Sequence, residues 1–209
     1  MHFAETELKG AHVVHLQRFE DDRGFFARSW CRQEFQRFGL NPEMSQLNVG
    51  FSHKRGTIRG MHFQVFPHAE AKYVRCTRGA IYDVIIDLRE TSPTFKRWLG
   101  IELTAENGLS VYAPEGFAHG YQTLCDEAEM CYMTSAAYVP GSARGVRWND
   151  PAFNINWPLP AGPVSDQDRS WPDFSVKELS PLGLRTHNTA GGLPAEVDAA
   201  ADKERGRAT

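Results

Sequence analysis

The sequence is short of the features that mark membrane proteins, nucleic-acid-binding proteins and zinc domains. No apolar run reaches the length of about 18 residues that a transmembrane helix needs, so we expect no membrane partner. The net charge is −3, which gives no electrostatic case for binding nucleic acid. The cysteines form no CxxC pair and match no zinc-binding spacing; they are Cys31, Cys76, Cys125 and Cys131.

The N-terminal residues MHFAETELKG lack a charged segment followed by an apolar one, so no signal peptide is predicted. Reduced thiols without an export signal favour a cytoplasmic protein. The 209 residues, 41% of them hydrophobic, suit one domain with a sizeable core. Near the end the composition turns polar and rich in small residues, which predicts a domain over 1–180 and a weakly ordered tail over 181–209. The stretch AEVDAAADKERGR in that tail could form a short helix.

Most of the chain has the pattern of short strands separated by turn residues. HVVHLQRF (12–19) is β-rich, and DDRG (21–24) predicts a turn. AIYDVIIDLR (80–89) carries bulky side chains on both faces, which indicates a strand that is covered on both sides. The best helical stretch is 31–40, with Gly39 as its C-terminal cap. Turns at intervals of about 8–12 residues favour an all-β sandwich or barrel with few short helices.

The segment GLSVYAPEGFAHG has the spacing of the second conserved motif of the cupins, a family of double-sheet jelly-roll barrels. In metal-binding cupins its histidine, here His119, joins an HxH pair and a glutamate from a first motif. Within residues 60–79, however, Gln64 stands in place of the second histidine of that pair. His62, His119 and Glu70 could in principle hold a metal ion, but we favour a cavity without one. The pattern predicts a cupin double-stranded β-helix with no metal site.

Strand parity turns several polar side chains toward the interior of the predicted barrel. Polar groups inside a barrel are costly unless they are paired or solvated, so a functional site explains such a cluster better than a core does. Arg59 has the opposite parity from His62, so both reach one cavity only if the backbone bulges near Gly60. The members of the cluster are His62, Lys72, Asp83, His119 and Tyr132.

Five longer segments together resemble the dTDP-4-dehydrorhamnose 3,5-epimerase family over about residues 3–175. They are FEDDRGFFARSW, QLNVGFSHKRGTIRGMHFQ, AKYVRCTRGAIYDVIIDLRETSPTF, YAPEGFAHGYQT and ARGVRWNDPAFNINWP. The resemblance implies a cupin homodimer that works without a metal or a cofactor. It also implies an isomerase that inverts the carbons beside the ketone of a 4-keto-6-deoxy nucleotide sugar.

The resemblance assigns the acid–base chemistry to four residues. His62 is the implied base, a role that suits imidazole because its charge changes near neutral pH. Asp168 is implied to hold that imidazole. Lys72 would face the enolate oxygen that forms at C4, and Tyr132 would return a proton from the opposite face.

The resemblance also implies a set of substrate-binding residues. Arg23 and Arg59 match arginines near the diphosphate, where a planar guanidinium suits phosphate oxygens. Asp83 joins the set because strand parity, and not the resemblance, places it in the interior cluster with His62 and His119. The other members match contacts to the nucleotide or the sugar; they are Phe26, Gln46, Asn48, His119 and Tyr138.

Three positions depart from the family pattern on the nucleotide side. Arg28 and Ala143 stand where the family usually has glutamate, and Gln167 stands where it commonly has lysine. The acid–base set is intact, so the implied reaction type survives while the nucleotide base and the sugar stay open. The alternatives are an epimerase that acts on another nucleotide such as CDP or at a single carbon, a related ketoisomerase, and a non-catalytic cupin that binds sugar nucleotides. The intact acid–base set favours epimerisation.

Overall fold

Short antiparallel strands joined by tight turns account for most of the structure. A computed structural model of the chain describes residues 1–176. Within that range the helices are α1 (Arg32–Arg37) and α2 (Asp166–Ser170), with one 3-10 turn at Pro140–Ser142. The strands of the same range are β1 (His2–Glu5), β2 (His12–His15), β3 (Arg18–Asp21), β4 (Gly24–Ala27), β5 (Gln46–Ser52), β6 (Ile58–Gln64), β7 (Lys72–Arg78), β8 (Ala80–Asp87), β9 (Trp98–Thr104), β10 (Leu109–Ala113), β11 (Phe117–Thr123), β12 (Ala128–Thr134) and β13 (Ala143–Gly145).

Two antiparallel sheets form the barrel. One has six strands in the order β1-β2-β10-β7-β12-β5, and the other has five in the order β13-β6-β11-β8-β9. Neighbours such as β10 and β7 are distant in sequence, so the chain crosses repeatedly between the sheets, as in a jelly roll. The predicted all-β class with few short helices is confirmed. Among residues 1–176, no helix is long and apolar enough to cross a bilayer.

Apolar side chains from both sheets fill the space between them. From β8, Ile81 and Ile85 point into this core and meet Val74 of β7. The alternate β8 residues Val84 and Ile86 lie on the other face, beneath apolar residues of the segment that follows β13. Both faces of β8 are therefore covered, as its two bulky faces predict.

Helix α1 packs on the outer face of the six-stranded sheet through Phe35. The Phe35 ring is fully buried and makes edge-to-face contacts with three aromatic rings, Phe3 of β1 at 5.5 Å, Tyr73 of β7 at 5.1 Å and Tyr112 of β10 at 5.9 Å between centroids. The helix is shorter than the predicted 31–40, because the chain turns away at Gly39, whose φ is +70°.

The β-rich stretch 12–19 divides into two strands with different partners. β2 pairs with β1 and β10 inside the six-stranded sheet, whereas β3 leaves that sheet and forms a hairpin with β4. The predicted turn DDRG joins β3 to β4, with Asp21 opposite Gly24. Local β-propensity is continuous across 12–19, so the tertiary pairing alone separates the two strands.

The described residues stop at 176, so they do not include the predicted domain end at residue 180. The predicted tail over 181–209, with its short helix, also lies outside them.

A bulge in β6 changes the parity of the residues on either side of it. His62 pairs with His119 and Arg59 pairs with Tyr121, so three steps along β6 match two steps along β11. Gly60 sits in this bulge with a φ of +108°. A Cβ atom added there would lie 2.7 Å from both the Cα of Gly120 and the backbone oxygen of His119. The bulge therefore depends on a glycine at position 60.

We expect Gly60→Ala to destabilise the protein more than Gly24→Ala. Both glycines have a strongly positive φ, +108° and +124°, so both variants carry a backbone strain of about 1–3 kcal/mol. A Cβ at Gly24 meets nothing within 4 Å, whereas one at Gly60 overlaps backbone atoms that cannot rotate away. Urea unfolding at one protein concentration should give a lower midpoint for Gly60→Ala. Equal midpoints for the two variants would show that the overlap is relieved at no cost.

Candidate active site

A cavity of about 680 Å³ opens between the two sheets and collects four of the predicted polar residues. His62 of β6 and His119 of β11 reach it from the five-stranded sheet. Lys72 of β7 and Tyr132 of β12 reach it from the six-stranded sheet. The parity argument therefore places these four side chains correctly, on two facing walls.

His62 is held by a carboxylate that arrives from the far end of the described chain. Its Nε2 lies 2.6 Å from Oδ1 of Asp168, on α2. The other oxygen of Asp168 accepts a hydrogen bond of 3.2 Å from the backbone N–H of Gly60. The Asp168 side chain is 5% exposed, while that of His62 is 45% exposed and lines the cavity. With Nε2–H donating to Asp168, Nδ1 is left as the basic nitrogen of His62.

The charge of Asp168 is stabilised although its surroundings are largely dry. Burial alone would raise the pKa of Asp168, but the hydrogen bond with His62, the charge of that imidazole and the Gly60 amide together lower it below its usual value. Ser165 is the N-cap of α2, and its hydroxyl oxygen accepts a 3.0 Å hydrogen bond from the backbone N–H of Asp168, which fixes the start of the helix. The carboxylate is thus ionised and oriented before any substrate arrives.

Lys72 is a buried cation that touches the backbone of the histidine strand. Its Nζ donates to the backbone oxygen of His62 at 2.9 Å and lies 3.2 Å from Oε1 of Glu70. Burial lowers the pKa of Lys72, and the nearby charges of Glu70 and Asp83 oppose that effect. A cation in this position can stabilise negative charge that develops in the cavity.

Asp83 lies behind His119 rather than on the cavity wall. Its Oδ1 is 2.7 Å from Nε2 of His119, and both side chains are almost fully buried. Asp83 is therefore not in a position to contact a substrate directly, as predicted for a binding residue. It instead orients His119, which lines the cavity.

Tyr132 stands on the wall opposite the His62–Asp168 pair. Its side chain is half-buried and lines the cavity from β12. Burial raises the pKa of Tyr132, and the charge of Glu70 raises it further. The phenol therefore stays protonated at neutral pH and can act as a proton donor.

A smaller cavity of about 430 Å³ adjoins the first and shares His62, Lys72, Tyr132 and Gln167 with it. Three predicted nucleotide or sugar contacts line this second space: Gln46, Asn48 and Tyr138. The backbone N–H of Tyr138 donates to Oε1 of Gln46 at 2.5 Å, so the loop carrying the tyrosine is tied to β5.

Arg59 lines the larger cavity beside His62, because the bulge at Gly60 changes the parity between the two residues. Its guanidinium donates to Oγ of Ser52 at 3.3 Å and to the backbone oxygen of Phe51 at 3.0 Å. These two contacts are with neutral acceptors, so the positive charge of Arg59 remains available to an anion.

Arg23 and Phe26 are not brought into either cavity. Arg23 lies in the turn of the β3–β4 hairpin with its side chain 89% exposed, and it pairs with Asp21. Phe26 lies on β4 and is 72% exposed. Within one chain these two residues are therefore separate from the other predicted site residues.

The three departures from the family pattern occupy different surroundings. Ala143 lines the smaller cavity and Gln167 lines both cavities. Arg28 lines neither of them and forms an ion pair of 2.8 Å with Glu34. Only two of the three positions therefore face a space where a substrate could bind.

The metal alternative built on His62, His119 and Glu70 finds little support in the side-chain contacts. Each of the three already has a partner of its own: Asp168, Asp83 and Lys72. In the part of the chain that the structure describes, no group of three or more His, Cys, Asp or Glu side chains is arranged to hold a metal ion.

Sequence reasoning missed the structural role of Glu70 and Gln64. Glu70 was considered only as a metal ligand, and Gln64 only as a missing histidine. Oε2 of Glu70 accepts a 2.9 Å hydrogen bond from Nε2 of Gln64, on the wall of the smaller cavity. The sequence carried no signal of this contact, because Glu70 precedes β7 and strand parity does not extend to it.

Comparisons with known proteins find relatives over most of the chain. The family model for dTDP-4-dehydrorhamnose 3,5-epimerase matches residues 5–176. The chain is 41% identical over 169 residues to the dTDP-4-dehydrorhamnose 3,5-epimerase of Shigella flexneri, an alignment that covers 80% of this chain and 93% of that protein.

Two solved structures show the same fold. The dTDP-4-dehydrorhamnose 3,5-epimerase from Bacillus anthracis, with TDP and PPi bound, has a TM-score of 0.80 and 40% identity, covering 83% of this chain and 99% of that one. ChmJ, a 3'-monoepimerase from Streptomyces bikiniensis in complex with dTDP-quinovose, has a TM-score of 0.76 and 34% identity, covering 87% of this chain and 91% of that one. The predicted cupin fold is confirmed, and the chain belongs to the dTDP-4-dehydrorhamnose 3,5-epimerase family.

Proposed function

We propose that this protein is an epimerase that inverts C3 and C5 of a dTDP-4-dehydro-6-deoxyglucose-type nucleotide sugar. The observation that carries the proposal is the placement of the His62–Asp168 pair and Tyr132 on facing walls of one cavity. The activity named for its relatives and the TDP bound in the Bacillus anthracis structure support the substrate class.

The first step removes a proton from carbon. The C4 ketone acidifies the hydrogens at C3 and C5, and His62 takes one of them while Asp168 stabilises the imidazolium that forms. The electrons of the broken C–H bond move into the ring and leave negative charge on the C4 oxygen. The Lys72 ammonium stabilises that enolate, because it is a cation in a site largely shielded from water.

The second step returns a proton to the other face of the same carbon. Tyr132 stands on the opposite wall and donates its hydroxyl proton, so a new C–H bond forms with inverted geometry. His62 then loses its proton to solvent and the phenolate of Tyr132 regains one. The sum moves no electrons to or from the substrate, so the reaction proceeds without an oxidant or a reductant.

The nucleotide end of the substrate is assigned to the remaining predicted residues. Arg59 offers a guanidinium to the diphosphate at the edge of the larger cavity. Arg23 and Phe26 lie on an exposed hairpin, so the proposal has them reach the nucleotide of a second copy in a homodimer. The cysteines Cys31, Cys76, Cys125 and Cys131 are free, which fits the proposed cytoplasmic location.

A second candidate is an epimerase of the same chemistry with altered selectivity. Ala143 and Gln167 face the cavities without the charge that the family pattern has there, which favours a different nucleotide such as CDP. The structural likeness to a 3'-monoepimerase supports inversion at a single carbon. A non-catalytic binding protein is disfavoured, because every member of the acid–base set lines the cavity.

We expect His62→Ala to abolish deuterium uptake from solvent at both C3 and C5, because no base remains to break either bond. Tyr132→Phe should keep part of that exchange and lose complete inversion, with a rate loss of about 10²–10⁴-fold. Proton NMR in deuterated water, with a 4-keto-6-deoxy sugar nucleotide, measures both effects. His15→Ala removes an exposed histidine of β2 and serves as the control. Unchanged exchange in His62→Ala would remove His62 from its role.

We expect the stability advantage of the wild type over Asp168→Asn to disappear in acid. The pKa of Asp168 is lowered in the folded protein, so its ionised form stabilises the fold above the usual aspartate pKa of 3.8, and that contribution is lost as the pH falls through the lowered value. Denaturant unfolding of both proteins from pH 7 to pH 3 measures the difference. A difference that stays constant across this range would contradict the proposed pairing with His62.

We expect dTDP to bind at least about tenfold more tightly than CDP or UDP if the family's nucleotide selectivity is retained, a difference of about 1.4 kcal/mol. Isothermal calorimetry with the three nucleotides gives the affinities directly. NMR assays with dTDP- and CDP-4-keto-6-deoxyglucose side by side then show which sugar nucleotide is turned over. Equal or tighter binding of CDP would favour the second candidate.

A further inference from the structure

Glu70 lies just before β7 and joins two side chains of the cavity wall. Its Oε1 is 3.2 Å from Nζ of Lys72, and its Oε2 accepts a 2.9 Å hydrogen bond from Nε2 of Gln64. Nζ of Lys72 also donates to the backbone oxygen of His62 at 2.9 Å. The three side chains line the smaller cavity and are largely buried. The ammonium of Lys72 is therefore held by one neutral carbonyl and one carboxylate.

The orientation of the Gln64 amide shows why a carboxylate, and not an amide, is suited to position 70. Oε1 of Gln64 accepts a 2.6 Å hydrogen bond from the backbone N–H of Val139, and Nε2 donates to the backbone oxygens of Ala137 and His68. Nε2 therefore faces position 70 as a donor, and the ammonium of Lys72 is a donor as well. A carboxylate accepts from both, whereas a glutamine would turn its own NH₂ group toward one of them.

We propose that Glu70 is a positioning residue of this site, which supplies the counter-charge that holds the Lys72 ammonium at the cavity wall. Through Gln64 the same carboxylate also steadies the loop of Tyr138, since Gln64 bonds the residues on both sides of that tyrosine. In this role Glu70 acts through Lys72 and not on the substrate. The inference rests on the proposed function, because the held ammonium is the group assigned to the C4 enolate.

Burial makes the counter-charge necessary. The loss of water around Lys72 lowers the pKa of its ammonium, and Glu70 is the nearest charge that opposes this effect. The carboxylate also adds to the raised pKa of Tyr132, which keeps the phenol protonated. Removal of the Glu70 charge therefore lowers the pKa of Lys72 and the pKa of Tyr132. The neutral amine of Lys72 and the phenolate of Tyr132 then form at a lower pH than in the wild type.

Other titratable groups surround the Lys72 ammonium, and all of them remain in a Glu70 variant. Asp83 carries a negative charge that also favours the ammonium, but it is already paired with His119. The charged and titratable side chains that line the two cavities besides Lys72 and Glu70 are Arg59, His62, His119, Tyr121, Tyr132, Tyr138, Arg144 and Asp168, and Asp83 lies behind His119. Among these groups, Glu70 is the carboxylate that forms an ion pair with Lys72.

The test is the pH dependence of epimerisation by Glu70→Gln and Glu70→Asp. For Glu70→Gln we expect the alkaline limb of kcat to move down by about 1–3 pH units, as loss of an ion-pair partner predicts. The KM should change less than about twofold, because the lost stabilisation belongs to the transition state. Glu70→Asp keeps the negative charge, so the alkaline limb of its kcat profile should lie close to the wild-type position. A wild-type pH profile in Glu70→Gln would overturn the inference.

Asp87→Asn is the matched control for a purely structural effect. Asp87 is a fully buried carboxylate that pairs with Arg89 and accepts hydrogen bonds from Ser92 and Thr94, away from both cavities. Its amide variant should lose stability and leave the alkaline limb in place. An equal shift of the limb in Asp87→Asn and Glu70→Gln would mean that Glu70 acts only through the general stability of the fold.

A second readout separates this inference from the proposed function. With ¹³C-labelled lysine, NMR titration of the Lys72 side chain gives its pKa without any turnover. We expect that pKa to be lower in Glu70→Gln than in the wild type, by about 1–3 units. One outcome is that the wild-type protein turns over no sugar nucleotide while the Lys72 pKa is still lower in Glu70→Gln than in the wild type. That result would overturn the proposed function and leave the Glu70–Lys72 pairing intact. An unchanged Lys72 titration would overturn the pairing itself.

Discussion

The hydrogen bond between His62 and Asp168 is the contact on which the rest of the site depends. The two residues are 106 positions apart, and the bond exists only because the segment before α2 is laid along the start of β6. Ile58 makes a parallel bridge to Val164 there, and its N–H donates to the oxygen of Pro163 at 3.0 Å. The irregular segment that follows the last strand is therefore part of the proposed active site, since it brings the carboxylate of Asp168 to β6.

The cavity wall is charged, yet each buried charge has a specific partner. His62 pairs with Asp168, His119 with Asp83 and Lys72 with Glu70; the first two pairs join different elements of the fold, and Glu70 lies just before β7, which begins at Lys72. A buried charge without a partner would cost several kcal/mol, so these pairings let the barrel tolerate polar groups that its core could not. The same pairings fix the side chains before substrate binds, which is the condition for electrostatic stabilisation without reorganisation.

Alternation along strands placed His62, Lys72, His119 and Tyr132 in one cavity, because these residues sit on paired strands. Asp83, the fifth member of the predicted cluster, lies behind His119 instead. Asp168 was accessible only through the family resemblance, since a five-residue helix carries no local signal of which strand it will meet. The position of Arg59 depended on a bulge that parity cannot foresee. The Gln64–Glu70 contact could not be foreseen, because it joins β6 to the segment before β7, where strand parity does not apply.

The residues proposed for the reaction and those proposed for substrate selectivity lie in different parts of this fold. His62, Lys72 and Tyr132 stand on interior strands whose registers are fixed on both sides, whereas Ala143 lies on the edge strand β13. Substitution at Ala143 can therefore alter the smaller cavity without moving the base. Gln167 is different, because it precedes Asp168 on α2 and its side chain lines both cavities. We therefore expect a change at Gln167 that improves recognition of one nucleotide to act also on the helix that holds the proposed base, so that selectivity and rate change together at this position.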